Sequence, residues 1–284
     1  MNHRTILALL FASAFLPSVA LAGPWTKGPG EAYVKFSQLY FTSNTFVDAQ
    51  GNRVEGADYV ATTSSLYAEV GVLENVHLQT FLPYIFSRNF FEEQDANYAN
   101  VGFGDALFGV QWTPVKTKVP WALKLETKVP LYDLGAVQGP QAIQFPALGD
   151  GQVDATLWAG VGASFYPVPV YALAEVGYRY RSGLYPGEDN GRRYKDTAVL
   201  NAQVGATLFD DKVIVAANLN GAFALGDDAF TQSFLTVGPS VAVYVWKKLA
   251  LEATTSPMIY SKNNSPGTTY SLGISYQPSP EEDP

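Results

Sequence analysis

Cysteine is absent from this sequence of 284 residues, and histidine occurs only twice. Without cysteine the chain can form no disulfide, and it has no thiol for a lipoprotein anchor or a thiolate metal site. His3 lies in a predicted leader, so His77 is the one imidazole expected in the mature chain. A lone imidazole is a poor basis for a zinc site or for general base catalysis. We therefore predict no metal, no cofactor and no enzymatic activity.

Positive charge and long apolar runs are also scarce. The 18 lysines and arginines are outnumbered by 26 acidic residues, which gives a formal net charge of −8. Such a chain lacks the basic stripe of a nucleic-acid-binding protein, so nucleic acid is not expected as a partner. After residue 22 no apolar run reaches the roughly 18 residues of a transmembrane helix. Aromatic residues are plentiful, at 14%, as are the 25 glycines.

The N-terminus has the three parts of a secretory signal peptide. Residues 1–4 form a short basic start, residues 6–15 form an apolar run, and Ala20-Leu21-Ala22 is a small-residue cleavage site. We predict that residues 1–22 are removed on export. Residues 23–277 are then expected to form the folded domain, and residues 278–284 a C-terminal tail.

Alternation of apolar and polar residues is the main structural signal. Residues 121–132, WALKLETKVPLY, place leucine and valine on one side and Lys124, Glu126 and Lys128 on the other. This period of two predicts β-strands. The segments that show it are residues 31–42, 61–73, 76–87, 104–113, 121–131, 152–166, 170–181, 196–208, 213–225, 234–246, 249–258 and 268–277.

The links between these segments alternate in length. Short links lie at residues 73–76, 113–120, 167–169, 209–212 and 246–248, and longer links at 43–60, 88–103, 132–151, 182–195, 226–233 and 259–267. This rhythm is typical of outer-membrane barrels with short periplasmic turns and longer extracellular loops. We therefore predict an all-β fold, a transmembrane antiparallel β-barrel of about 12 strands with its polar face inside. A soluble secreted β-protein is the alternative.

Two details refine this barrel model. Pro83 and Pro239 fall within predicted strands, where a missing N–H removes a ladder hydrogen bond, so we expect bulges or strand ends there. Aromatic residues lie near the strand ends, among them Tyr171 and Trp246 by the short links and Tyr132 by a long one. Two aromatic belts of this kind are expected at the two interfaces of a membrane.

Two glycine-rich stretches carry a family resemblance. They are residues 100–112, NVGFGDALFGVQW, and residues 145–165, FPALGDGQVDATLWAGVGASF. In both, a Gly-x-Gly pair precedes an aspartate, Asp105 in the first and Asp154 in the second. They resemble a family of outer-membrane transporters labelled "MetA-pathway of phenol degradation" proteins. The resemblance implies a barrel of this size that moves small, often aromatic or hydrophobic, organic molecules.

The predicted inward face carries charges of both signs. The candidates for lining and selectivity are Glu69, Asp105, Lys124, Glu126, Lys128, Asp154, Glu175, Arg179 and Glu252. Rings of such charges can select solutes in a channel. The same charges can instead pair with one another and seal the lumen. The first hypothesis is therefore a channel or transporter for small organic solutes, and the alternative is a structural or surface-interaction barrel without transport.

The barrel hypothesis also sets the expected surroundings. We expect the outer membrane of a Gram-negative bacterium, with its lipids, lipopolysaccharide and a small-molecule solute as partners. The oligomeric state stays open. Residues 23–30 are too few for the N-terminal plug of the outer-membrane fatty-acid transporters, so the lumen is expected to lack one.

Overall fold

The computed structural model of the chain describes residues 23–92, 95–133, 144–187, 189 and 191–277. The predicted signal peptide and C-terminal tail therefore lie outside the described residues. The strands are β1 (Ala32–Val47), β2 (Arg53–Leu73), β3 (Val76–Phe91), β4 (Ala96–Phe103), β5 (Asp105–Val115), β6 (Trp121–Pro130), β7 (Val153–Ser164), β8 (Val170–Leu184), β9 (Thr197–Leu208), β10 (Val213–Ala224), β11 (Ser233–Trp246), β12 (Leu249–Lys262) and β13 (Thr268–Tyr276). Within these ranges no helix is long and apolar enough to span a membrane.

The strands form one closed antiparallel barrel. Consecutive strands pair with one another, except for β4 and β5, and β1 pairs with β13 to complete the ring. Strands β4 and β5 both pair with β3, β4 along its second half and β5 along its first half. They are therefore two parts of one crossing, interrupted at Gly104, and the barrel has 12 crossings rather than 13. The predicted fold class is confirmed.

Both prolines lie where a strand ladder is interrupted. Pro83 occupies the position on β3 at which the partner changes from β4 to β5. Pro239 lies on β11 in a stretch, residues 237–239, that has no register partner on β12. A proline has no N–H to donate, so it is tolerated where the neighbouring ladder is already broken. The expectation of irregular pairing at Pro83 and Pro239 is confirmed.

Two predicted long loops are largely strand. Residues 43–60 and 88–103 were expected to be loops, but β1 and β2 continue through the first range and β3 and β4 through the second. Strand β2 alone has 21 residues, roughly twice what a bilayer crossing requires. These hairpins therefore extend beyond the belt of the barrel. The prediction missed them because polar residues on both faces hide the alternation.

The polar faces of the strands lie inside the barrel. On β6, Lys124 and Lys128 are 8% and 9% exposed, whereas Leu125 is 55% exposed. Strand β1 shows the same alternation, with buried Lys35 and Ser37 beside exposed Phe36. The outer surface is thus apolar and the interior polar, as predicted.

A charge placed on the outer face tests whether lipid covers it. We expect Leu125→Arg, at the middle of β6, to lower the free energy of unfolding from lipid vesicles by about 2–4 kcal/mol. The same change at Leu73, beside a short turn, should cost about 1 kcal/mol or less because that position lies near the interface. Urea titrations of the two variants give the comparison, and equal losses would contradict a lipid-covered wall.

Most aromatic side chains of the predicted belts lie on the outside, but two do not. Trp121 and Trp246 are 41% and 74% exposed at the short-turn end of the barrel. Tyr171 instead faces the lumen, where it meets Trp25, and Tyr132 reaches inward to Asp105. The assignment of Tyr132 and Tyr171 to the belts is therefore wrong. A position near a strand end does not determine whether a side chain faces lipid or the lumen, because that depends on where the residue falls in the in-out alternation of the strand.

Candidate functional site

All nine predicted lining residues lie on the inward faces of their strands. Their environments differ, because some are buried among other side chains and some are partly exposed to the open part of the lumen. The buried ones are Glu69, Lys124, Lys128, Asp154, Glu175 and Arg179, and the partly exposed ones are Asp105, Glu126 and Glu252. The interior is therefore charged, but most of that charge is shielded from bulk water.

The largest group of interior charges is an aspartate cluster near the end of the barrel with the long loops. It consists of Asp105, Lys128, Asp150, Asp154 and Arg181. Lys128 Nζ is 2.8 Å from Asp154 Oδ2 and 3.4 Å from Asp105 Oδ2, and it also pairs with Asp150. Arg181 pairs with Asp150, and its Nε lies 3.1 Å from Asp154 Oδ1. Three carboxylates are thus held by two cations.

The two stretches that carry the family resemblance meet in this cluster. Asp105 follows the first Gly-x-Gly pair, and Gly149-Asp150-Gly151 forms the second. A Cβ on Gly149 would lie 2.6 Å from Asp105 Oδ2, so only glycine permits this approach. The Tyr132 hydroxyl ties both sides together, since it donates to Asp105 over 3.0 Å and accepts from the Gly151 N–H over 2.7 Å.

Asp150 lies in the link between β6 and β7, outside the strands. Burial acts to raise the pKa of its carboxyl, but Lys128 and Arg181 outweigh that effect and hold the pKa below its ordinary value. The Asp150 carboxylate is therefore ionised at neutral pH. Its charge is needed to balance the two cations that it touches.

Two further ion pairs lie deeper in the barrel. Lys124 Nζ is 3.4 Å from Glu175 Oε1 and 5.0 Å from the ring centre of Trp158. Lys35 Nζ is 2.5 Å from Glu252 Oε2, and the Tyr33 hydroxyl donates to the same carboxylate over 2.8 Å. Both pairs join next-nearest strands, β6 with β8 and β1 with β12, so each brings its charges together across the strand between them.

Three of the nine predicted residues form no ion pair with another described residue: Glu69, Glu126 and Arg179. Glu69 is 1% exposed and accepts a hydrogen bond of 2.5 Å from the Tyr67 hydroxyl. Arg179 Nε donates to Thr156 Oγ1 over 3.3 Å. Register places Glu126 and Arg179 on either side of Thr156, one strand away in each direction. These two opposite charges therefore remain available to a solute.

An apolar wall borders the same space as the charges. It consists of Phe81 and Ile85 on β3, Leu148 in the link before β7, and Phe234 on β11, each at most 7% exposed. The wall, four members of the aspartate cluster and Arg179 line one cavity, and the fifth member, Asp154, lies behind that lining. The centre of a water molecule can occupy about 80 Å³ of it, several times the space that one water requires.

The N-terminal segment, residues 23–30, lies inside the end of the barrel with the short turns. Gln111 Nε2 donates to the Gly23 carbonyl over 2.8 Å, and Thr113 Oγ1 to the Pro24 carbonyl over 2.9 Å. Trp25 meets Tyr171 edge to face, with ring centres 6.2 Å apart. The expectation that the lumen lacks a plug is therefore wrong. Eight residues suffice because the segment needs to cross only the mouth of the barrel.

His77 is fully buried at the same end of the barrel. Its Nε2 lies 2.6 Å from Gln79 Nε2, so the ring acts as a packed hydrogen-bonding group. Among the residues that the structure describes, no group of three or more histidine, cysteine, aspartate or glutamate side chains is arranged to hold a metal ion.

Sequence reasoning missed three members of the site: Asp150, Tyr132 and the apolar wall. Asp150 was within a quoted glycine-rich stretch, so the stretch itself was the available signal. Phe81 and Ile85 belong to a strand with apolar residues on both faces. Such a strand gives no alternation from which an inward face can be read.

Comparison with solved structures identifies the class of fold. The COG4313 outer membrane channel from Pseudomonas putida F1 superposes with a TM-score of 0.72 and 11% identity, over 92% of this chain and 100% of that chain. The translocator domain of the autotransporter NalP from Neisseria meningitidis superposes with a TM-score of 0.54 and 12% identity, over 88% and 89%. The chain thus has the fold of outer-membrane barrels.

By sequence, the chain matches no family model and no curated protein. The resemblance to the phenol-degradation transporters therefore stays a prediction from its two glycine-rich stretches. At identities this low the structural likeness describes the barrel alone.

Proposed function

We propose that the protein is an outer-membrane channel or transporter that facilitates the passage of small, apolar or aromatic, organic solutes. The observation that carries the proposal is the cavity in which the apolar wall faces charged side chains. A water-filled porin for polar solutes has no need of buried phenylalanine and isoleucine in its lumen. The apolar wall offers an organic solute a place to leave water, and the charges orient it.

The proposal includes a location and an orientation. The signal peptide, residues 1–22, directs export, and the barrel inserts in the outer membrane of a Gram-negative bacterium. The short turns and both ends of the described chain then face the periplasm, and the long loops face outward, near lipopolysaccharide. Acidic loops such as residues 226–233 would contact that layer.

Uptake by intact cells tests the proposal directly. Lipopolysaccharide slows the entry of apolar molecules, so a Gram-negative host that expresses the protein should take up labelled toluene faster than a host without it. Uptake of a labelled disaccharide should not change. Equal toluene uptake in both hosts, with the protein shown to be folded in the outer membrane, would refute the proposal.

Ion selectivity tests whether the lumen is continuous. The Glu126 carboxylate faces the lumen without an ion-pair partner among the described residues, so it is expected to attract cations. We expect Glu126→Gln to shift the reversal potential in planar bilayers toward anion preference, whereas Glu92→Gln, in an exposed turn, should leave it unchanged. A conducting barrel with identical selectivity in both variants would place Glu126 away from the ion path.

One observation favours the sealed-barrel alternative. The aspartate cluster and the N-terminal segment occupy the two ends of the lumen. Folded protein that neither conducts ions nor increases toluene uptake would support a structural barrel whose loops carry the function.

A further inference from the structure

Arg179 differs from its neighbour Arg181 although both lie on β8 and face the lumen. Arg181 is held by Asp150 and Asp154. Arg179 is only 9% exposed, yet no described carboxylate lies within ion-pair distance of it, and its Nε bond to Thr156 is a bond to a neutral hydroxyl. The two terminal nitrogens of its guanidinium donate to no described residue. These terminal nitrogens are not among the buried polar atoms that lack a partner, and Arg179 lines the cavity, so they are open to an anion that enters the lumen.

The aspartate cluster cannot supply the missing anion, because its carboxylates are already engaged. Asp105 contacts Lys128 and the Tyr132 hydroxyl. Asp150 contacts Lys128 and Arg181. Asp154 contacts the same two cations and accepts from Gln152 over 2.7 Å. Moving any of them to Arg179 would break an existing ion pair.

The surroundings of Arg179 define what would fit. Arg179 lines the same cavity as the apolar wall, so its guanidinium and the rings of Phe81 and Phe234 border one space. A planar guanidinium binds a carboxylate through two parallel hydrogen bonds. Hydrocarbon in the lining of the same cavity favours an aromatic or aliphatic body on the same ligand.

We propose that Arg179 is a binding subsite for the carboxylate of a small organic acid whose hydrocarbon part lies against the apolar wall. This rests on the proposed transport function and narrows it, since it gives the solute one anionic end. Glu126 is the group that would compete for Arg179. It lies two strands away across Thr156, and a change of side-chain conformation could bring it closer.

Fluorine NMR titration of the protein in lipid nanodiscs tests the subsite with two probes of equal shape. These are para-fluorobenzoate, which is an anion, and para-fluorobenzamide, which is neutral. We expect the benzoate to bind at least about tenfold more tightly, as charge-assisted hydrogen bonds allow. Arg179→Gln should abolish that preference, Arg179→Lys should retain part of it, and Arg193→Gln, at an exposed loop pair, should not affect it.

The possible results distinguish a failure of the Arg179 subsite from a failure of the proposed transport function. Two results would overturn the subsite. One is equal affinity of the unaltered protein for the benzoate and the benzamide. The other is an equal loss of affinity for both probes in Arg179→Gln, with the same loss in Arg179→Lys. Tighter benzoate binding in Glu126→Gln would support the subsite, because it would show Glu126 competing for Arg179. If cells take up toluene but the affinity for benzoate over benzamide does not depend on Arg179, the transport proposal holds and the subsite is refuted. An Arg179-dependent preference for benzoate without toluene uptake would support the subsite and count against the proposed transport.

Discussion

Neutralising Lys128 is expected to destabilise the barrel more than any other single substitution in the lumen. In Lys128→Gln the carboxylates of Asp105, Asp150 and Asp154 remain buried with Arg181 as their one cation. Removing one member of a buried ion cluster typically costs about 3–5 kcal/mol, because the remaining charges are left without compensation. Urea titration of the folded protein in lipid vesicles, followed by tryptophan fluorescence, measures the loss.

A matched control and a compensating change sharpen this test. Lys262 pairs with Asp227 on the surface, with the aspartate 96% exposed, so Lys262→Gln should cost less than about 1 kcal/mol. Among the residues that the structure describes, Lys128 is the only cation in contact with Asp105, so adding Asp105→Asn to Lys128→Gln should recover part of the lost stability. If Lys128→Gln and Lys262→Gln were equally stable, the cluster would have no structural role.

Removing the N-terminal segment is expected to raise the conductance of the barrel several-fold. The segment is held by Gln111 and Thr113 and passes close to Gly71 on β2. Refolded protein that begins at residue 29 should therefore have a wider opening at the short-turn end than protein that begins at residue 23. Single-channel recording in planar bilayers compares the two, and refolding avoids any effect on signal-peptide processing.

A point substitution provides an independent route to the same state. A Cβ on Gly71 would lie 2.6 Å from the Gly28 carbonyl carbon and 2.7 Å from the Lys27 carbonyl oxygen, both backbone atoms that cannot yield locally. Gly71→Ala should thus displace the segment and raise conductance. Gly109→Ala is the control, since its nearest neighbour would be 3.5 Å away. Equal conductance in all these proteins would mean that the segment does not obstruct the lumen.

The fold was predictable because its signals are local. Alternation along each strand and the length of each link are properties of a few consecutive residues, and they located all 12 crossings. The inward placement of Lys124 and Lys128 followed from the same pattern. The extended hairpins of β1–β2 and β3–β4 were not predictable in this way, because polar residues occur on both faces near their tips and interrupt the alternation.

The site was only partly predictable because its members come together through register and through a folded link. Nothing in the period of β6 or β7 indicates that the link between them turns inward to place Asp150 between Lys128 and Arg181. That no described carboxylate lies within ion-pair distance of Arg179 is likewise a result of neighbouring geometry. The N-terminal segment was misjudged by comparison with longer plugs, although hydrogen bonds from Gln111 and Thr113 and the contact of Trp25 with Tyr171 hold its first residues.

The position of the aspartate cluster along the chain has a consequence for the order of folding. Its members lie between Asp105 and Arg181, on the consecutive strands β5 to β8 and the link among them. Closing the ring, by contrast, joins Val34 to Tyr276 near opposite ends of the described chain. Contacts between nearby segments form with less loss of chain entropy than contacts between distant ones. The middle of the chain can therefore assemble as a charged, curved sheet first, and the first and last strands can then close the barrel around it.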